Sequence, residues 1–292
     1  GYLGAEVTRQ LVASEVVDRV IAFDNFSRQN LGFLIDSEVR DAGLVDVAIA
    51  DILDHHSLRY WMEGTDVVIH LAGITASSTN SAHPHLFDQV NNWGTANVVG
   101  VVNEVKPELF IYASSVAVFG SPQGRIAQVS EPFPVDGYGL SKLNGERQVS
   151  ALEEGIESSI LRVGNLYGLS TQTRFDSLVN QMVLDAKYKR RILVEGSGEQ
   201  FRPIVPVSVA ARAFCELATG ERSPLRNDLV VAESASVNRV VEEVLVHLPN
   251  TEVRYVNRAV ELPSLAIEVP PESPFAQQSL EIHLGPMFEH LV

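Results

Sequence analysis

Tyr138 and Lys142 stand four residues apart in the stretch Val135-Asp136-Gly137-Tyr138-Gly139-Leu140-Ser141-Lys142-Leu143-Asn144-Gly145-Glu146. On a helix, positions i and i+4 share a face, so the spacing predicts a phenol and an ammonium pointing the same way, one turn apart. A free phenol, with a pKa near ~10, is a poor base at neutral pH. An ammonium beside it favours the phenolate, and a positively charged nicotinamide nearby would favour it further. Such a phenol can take a proton from an alcohol while hydride leaves the same carbon. That chemistry needs a dinucleotide and a hydrogen-bonding group for the substrate oxygen.

The start of the chain carries the dinucleotide signal. Gly1-Tyr2-Leu3-Gly4 opens an amphipathic run with Val7, Leu11 and Val12 on one face, followed by the short apolar strand Val20-Ile21-Ala22-Phe23-Asp24. Gly1 and Gly4 have the spacing of the last two glycines of a Gly-x-x-Gly-x-x-Gly turn. One lets the backbone approach a pyrophosphate at a helix N-terminus, and the other lets helix and strand pack closely. Asp24 stands 20 residues after Gly4, where a carboxylate would accept hydrogen bonds from the adenosine ribose. A carboxylate there repels a 2′-phosphate and favours NAD over NADP, although Arg28 could hold that phosphate instead. The strand and first glycine expected before Gly1 are missing, so the natural protein is expected to begin about ten residues earlier.

Four more apolar strands follow at α/β spacing: Val45 to Ile49, leading to Asp51-Ile52, placed to meet the adenine; Asp66 to Gly73; Leu109 to Ser115; and Ser159 to Val163. Leu71-Ala72-Gly73 ends its strand in small residues, as a flat cofactor crossing the strand end requires. Ala113-Ser114-Ser115 ends another in two hydroxyls. Helical runs separate the strands, notably Asn91 to Val105. Strand-helix alternation with near-continuous apolar strands predicts an α/β fold with a parallel sheet covered on both faces. Ligands in such sheets bind at the carboxyl ends of the strands, where Gly73, Ser115 and Asn165 all fall.

Taken in order, these pieces resemble the extended short-chain dehydrogenases/reductases of the NAD-dependent epimerase/dehydratase group, as in UDP-galactose 4-epimerase-like nucleotide-sugar enzymes. The matching segments are Gly1 to Gly4, Asp24-Asn25-Phe26-Ser27, His70 to Gly73, Asn91 with Gly94-Thr95, Ser114 to Gly120, Tyr138 with Lys142, Asn165-Leu166-Tyr167-Gly168, and Gly196 to Arg202. The resemblance implies a Rossmann-type doubly wound parallel sheet with a small α/β substrate domain. It places the NAD-binding domain at 1–164 and the mainly substrate-binding domain at 165–292, with about 203–233 returning to the main sheet. It makes Tyr138 the base, Lys142 its tuner and a ligand of the nicotinamide ribose, and Ser115 the hydroxyl that polarises the substrate oxygen, with Asn91 as a supporting residue. The cofactor set is Gly1, Tyr2, Leu3, Asp24, Asn25, Ser27, Arg28, Asp51, Ile52, Leu71, Ala72, Gly73, Asn91, Ala113, Ser114, Tyr138 and Lys142. The substrate set is Thr75, Ser115, Asn165, Arg174 and Arg202, with Asn165 and Arg202 matching contacts to the diphosphate and nearby sugar of a nucleotide-sugar. Relatives often form homodimers through two helices per subunit, one of them carrying Tyr138.

The chain also departs from the family. After Arg202 the usual Asp-Phe-x-x-Val-Asp-Asp-Val becomes Pro203-Ile204-Val205-Pro206-Val207-Ser208-Val209, and the C-terminal arginine is replaced by Val269-Pro270-Pro271-Glu272-Ser273. A diphosphate would lose one of its two clamps. A 4,6-dehydratase needs an acid/base carboxylate pair directly after the catalytic Ser/Thr, where Val116-Ala117 stand, so dehydration ranks low. What remains is 4-epimerisation through a transient ketose, net oxidation or reduction of a secondary alcohol or ketone, or a catalytically silent cofactor-binding protein.

Bulk properties narrow the partners. The 292 residues carry a net charge of −15, which opposes binding to nucleic acid or an anionic membrane. The one cysteine, Cys215, allows no internal disulfide, in keeping with a reducing cytoplasm. No apolar run approaches the ~20 residues needed to span a bilayer. His55-His56 and His83-Pro84-His85 lack companion ligands at usable spacing, so no metal is expected.

Overall fold

The computed structural model describes residues 1–29, 31–75, 84–122, 125–126, 130–221, 228–257 and 262–290. The first half alternates strands and helices: α1 (Tyr2–Val12), β1 (Val20–Asp24), α2 (Gly32–Ile35), α3 (Ser37–Ala42), β2 (Val45–Ile49), α4 (His55–Met62), β3 (Val67–His70), α5 (Pro84–Phe87), α6 (Thr95–Val105) and β4 (Leu109–Ser115). Then come β5 (Arg125–Ile126), α7 (Gly137–Val149), β6 (Glu157–Val163), β7 (Asn165–Tyr167), α8 (Leu178–Leu184), β8 (Arg191–Glu195), β9 (Phe201–Pro206) and α9 (Val207–Ala218). The chain continues with β10 (Asp228–Val230), β11 (Glu233–Ser236), α10 (Val237–His247), β12 (Glu252–Val256), β13 (Ala266–Ile267) and α11 (Leu280–His290).

The sheet at the centre is parallel, in the order β10-β6-β4-β3, with β1 and β2 as a separate parallel pair. In β4, Leu109 to Ser114 are all buried, as strands covered on both faces must be. One face packs Ile111, Ala113, Leu161 and Val163 against Val7 and Leu11 of α1 and Phe214 and Leu217 of α9. The other packs Phe110, Tyr112 and Ile160 against Leu58 of α4 and Val98, Val101 and Val102 of α6. This is the expected α/β arrangement of helices on both faces. Among the described residues no ladder joins β1 to β3. Their facing edges border an open groove that runs on to the carboxyl ends of the strands.

Beyond residue 164 the elements build a smaller layer. β9 pairs with β7 and, antiparallel, with β11, while β8 pairs with β12. Tyr167, Val183, Ile192, Ile204, Val240, Val244 and Leu284 form the core there. Of the segment expected to return to the main sheet, about 203–233, α9 covers that sheet beside α1 and Asp228–Val230 pairs with β6, while β9 stays in the smaller layer, held on both edges by β7 and β11.

The helical run expected from Asn91 is longer and less regular than predicted. Asp88–Gly94 is wound as a π-helix directly ahead of α6, a local widening that often marks a functional position.

Candidate active site

Helix α7 is placed by its own small residues. Asp136 caps it, its Oδ1 accepting from the Gly139 amide at 2.7 Å. A Cβ on Gly139 would stand 2.4 Å from the Ala117 carbonyl oxygen, and one on Gly145 would stand 2.1 Å from the Tyr112 hydroxyl. Only glycine at these two positions lets the helix lie directly on β4 and the turn after Ser115.

That approach brings Tyr138 within hydrogen-bonding reach of the Ser115 hydroxyl. Ser115 Oγ also accepts from the Ala117 amide at 3.2 Å. Lys142 lies deeper, buried, with Nζ 4.7 Å above the centre of the Tyr112 ring. The expected picture of an ammonium beside the phenol is therefore modified. Burial raises the Tyr138 pKa, and the groups that pull it back are the Ser115 hydroxyl and the guanidinium groups of Arg174 and Arg28. Burial also lowers Lys142 to about 8, with Glu146 opposing the shift.

Asn91 is the bracket of the site. Its Oδ1 accepts from the Ile74 amide at 2.8 Å, and its Nδ2 donates to the Ile74 carbonyl at 2.9 Å and to Ser141 Oγ at 3.0 Å. The amide thus ties the loop after β3 to α7. A Cβ on Gly73 would lie 2.9 Å from Asn91 Oδ1 and 3.6 Å from Lys142 Nζ, so the strand end stays bare where a flat ring could pass. Leu71, Ala72, Gly73, Ala113, Ser114 and Ser115 line the cleft there with Tyr138 and Lys142.

At the other end of the cleft, Asp24 closes β1. Its Oδ1 accepts from the Phe26 amide at 2.7 Å, and its Oδ2 lies 3.6 Å from the Gly1 nitrogen, with the side chain partly open to solvent. Asn25 Nδ2 donates to Asp51 Oδ2 at 2.8 Å, and the Ser27 amide donates to Asn25 Oδ1 at 3.0 Å. Gly1, Tyr2 and Leu3 line the cleft at the start of α1. Two details differ from expectation. A Cβ on Gly4 would meet only Leu71 Cδ1 at 3.7 Å, an ordinary contact, so close packing does not demand glycine there. The Ile52 carbonyl already accepts from Asn97 Nδ2 at 2.7 Å and its side chain is core, which leaves Asp51 as the polar group of that pair.

On the substrate side the expected cations are present, and Arg174 is paired with an acid. Arg174 grips Asp176 through Nε at 2.7 Å and Nη2 at 3.1 Å, and Nη1 donates to Thr75 Oγ1 at 2.8 Å. Arg28 also lines the cleft, where burial and the neighbouring Arg174 guanidinium lower its pKa and Asp176 and Asp24 oppose the shift. Asn165 Nδ2 donates to the Pro203 carbonyl at 2.9 Å. Arg202 donates to the Phe201 carbonyl at 2.9 Å and also to the Pro263 carbonyl. Both residues line the cleft.

Sequence reasoning missed Asp176, Ser141 and the buried pair Glu146 and Arg162. Asp176 had a legible signal, an acid two residues from an arginine. The other three acquire meaning only from contacts across the fold. Among the described residues no cluster of metal-ligating side chains occurs, and His83 lies outside them.

A parallel sheet whose strand ends carry an acid after β1, a bare glycine after β3 and a Ser-Tyr-Lys cluster after β4 has the arrangement of dinucleotide-dependent α/β proteins. The chain belongs to the NAD-dependent epimerase/dehydratase family, which matches residues 1–232. It is 27% identical over 187 residues to a Bacillus subtilis protein described as an uncharacterized UDP-glucose epimerase, covering 62% of this chain and 58% of that one. It is also 27% identical over 169 residues to the human dTDP-D-glucose 4,6-dehydratase, covering 56% and 48%. The chain thus spans about half the length of these relatives. Among solved structures, the fold matches a UDP-glucuronic acid 4-epimerase from Bacillus cereus with UDP-glucuronic acid and NAD bound, at TM-score 0.83, 19% identity and coverage of 100% and 96%.

Proposed function

We propose that this protein is an NAD-dependent 4-epimerase of a nucleotide-sugar, working through a transient 4-keto sugar. The observation that carries the reading is the Ser115–Tyr138 contact in the cleft at the strand ends, with no acid or base in the two positions directly after Ser115 to run a dehydration. Val116 is buried and apolar, and Ala117 offers only its amide, which Ser115 already holds. The 4,6-dehydration described for one relative needs a further acid or base there.

The residues divide the work. Asp24 and Asp51 hold the adenosine end, and Gly73 leaves room at the nicotinamide end. Bound NAD would accept hydride from the sugar carbon and return it to the opposite face. Ser115 donates a hydrogen bond to the sugar oxygen while Tyr138 takes its proton and later gives it back. Lys142, held over the Tyr112 ring, keeps a positive charge beneath the ribose site, while the Ser115 hydroxyl and the guanidinium groups of Arg174 and Arg28 favour the phenolate. Asn165, Arg174, Arg202 and Thr75 line the side that would receive the diphosphate and sugar. Guanidinium groups suit phosphate because they are planar and always charged.

A second reading, net oxidation or reduction of a simpler alcohol or ketone, is favoured by Arg202, whose guanidinium is turned onto two backbone carbonyls. Incubation with NAD and a panel of nucleotide-sugars separates the two. A new C4 stereoisomer by NMR, without net rise in reduced-nicotinamide absorbance, is the expected result. An oxidised product with a matching rise in absorbance would replace the epimerase with a dehydrogenase.

A further inference from the structure

Beneath the Ser115–Tyr138–Lys142 face lies a charged pair that the reaction does not touch. Glu146 and Arg162 are each 6% exposed. Arg162 Nε donates to Glu146 Oε1 at 2.9 Å and Nη2 to Oε2 at 2.7 Å, a two-point grip. The Ser114 hydroxyl donates to Glu146 Oε1 at 2.5 Å. The Arg162 guanidinium lies 5.0 Å from the centre of the Phe119 ring.

Each partner of this pair belongs to a piece of the site. Ser114 precedes Ser115 on β4, and Phe119 closes the short turn that follows Ser115. Arg162 is on β6, paired beside Ser114 in the ladder. Glu146 is on α7, one turn beyond Lys142. A single carboxylate therefore ties the helix that bears Tyr138 and Lys142 to the strand that bears Ser115. Stability alone does not account for it, because well-packed apolar side chains serve at least as well as a buried ion pair.

Charge gives the second half of the argument. The groups near Lys142 are the Tyr112 ring from β4, neutral His70 from β3, Asn91 from the π-helical turn, and Glu146 from its own helix, with Arg162 of β6 behind Glu146. Of these, Glu146 is the negative one, and its charge favours the lysine ammonium.

We infer that Glu146, oriented by Arg162, is a positioning residue: it sets α7 against the end of β4 and keeps Lys142 charged. The inference rests on the assignment of Ser115, Tyr138 and Lys142 to the chemistry. Its test reads the lysine itself as well as turnover, so failure of one is distinguishable from failure of the other.

The experiment compares wild type with Glu146→Gln, Glu146→Asp and the double variant Glu146→Gln/Arg162→Met. The double variant removes both buried charges and guards against a fold lost to an unpaired arginine. The side-chain carbon resonance of Lys142, assigned by its loss in Lys142→Arg, is titrated by NMR, and kcat and KM are followed against pH. In Glu146→Gln and in the double variant, the Lys142 titration is expected to move to lower pH. The alkaline limb of kcat should follow it, with kcat down roughly tenfold near pH 8 and KM for the nucleotide-sugar within about twofold. Glu146→Asp, which keeps the charge, should recover most of the shift. An unmoved Lys142 titration in folded Glu146→Gln or double variant would overturn the inference whether or not a substrate has been found. A moved titration in a protein that turns over no nucleotide-sugar would leave the pair's role standing and remove the epimerase reading.

Discussion

At the scale of single residues, Tyr138 and Ser115 have separable duties. Tyr138→Phe keeps the ring and its edge contact with Phe87 but removes the acid/base group. It should cut kcat by about 10³-fold while leaving NAD affinity within about twofold, checked by steady-state kinetics and calorimetry. Asp24→Ala should weaken NAD and narrow its advantage over NADP, because on the proposed reading the carboxylate at the end of β1 binds the ribose and repels a 2′-phosphate; unchanged constants for both cofactors would remove Asp24 from the site. That Tyr138, Lys142, Ser115 and Asp24 border one cleft was legible, because helical spacing and position at strand ends fix where such side chains fall. Glu146 and Arg162 were not, because the two groups lie 16 positions apart and meet only when β6 lies beside α7. The same blindness put Lys142 beside the phenol, whereas the Tyr112 ring draws it inward.

Among the elements, α7 matters most, and its contact with β4 depends on space that only glycine leaves. Gly145→Val would drive a branched side chain into Tyr112 and the Asn91 carbonyl, which stand 2.1 and 2.9 Å from a mere Cβ. The expected loss is about 1–3 kcal/mol in urea unfolding, accompanied by loss of activity as Tyr138 moves off Ser115. The strands themselves were readable from their apolar runs, and β1, β2 and β4 lie where those runs do. The π-helical turn at Asp88–Gly94 was not, since hydrophobic period cannot distinguish a widened turn from a regular one, and neither was the division of 203–233 between two layers. That division depends on which strand edges are already taken.

Over the whole molecule, one buried group should govern behaviour in acid. Thr95 donates its hydroxyl proton to the Asn91 carbonyl, so His70 Nε2, 3.0 Å away, is the donor of their hydrogen bond. Burial holds His70 neutral, with a pKa of about 3 against an ordinary 6.5. The unfolded chain takes up this proton below about pH 6.5 and the folded one does not, so stability falls as pH drops from there toward about 3. By about pH 4.5 this group alone removes on the order of 2 to 3 kcal/mol. His70→Gln should show a shallower loss between neutral and acid urea melts than wild type; equal slopes would place His70 in contact with water. No helix among the described residues is long and apolar enough to cross a membrane. Leu140 is exposed on α7, the helix that the family resemblance places in a homodimer, and light scattering would weigh that assembly directly.

The central claim is that hydride leaves the sugar, waits on the bound cofactor and returns while Tyr138 shuttles the proton. A nucleotide-sugar substrate deuterated at C4, epimerised in ordinary water, tests this most directly. Full retention of deuterium at C4 of the new stereoisomer is the result expected, because a hydride held by NAD inside the cleft does not exchange with solvent. Washout of the label at C4 would contradict the account, since it would mean that the carbon loses a proton to a base and that Tyr138 and the cofactor do not do what their placement implies.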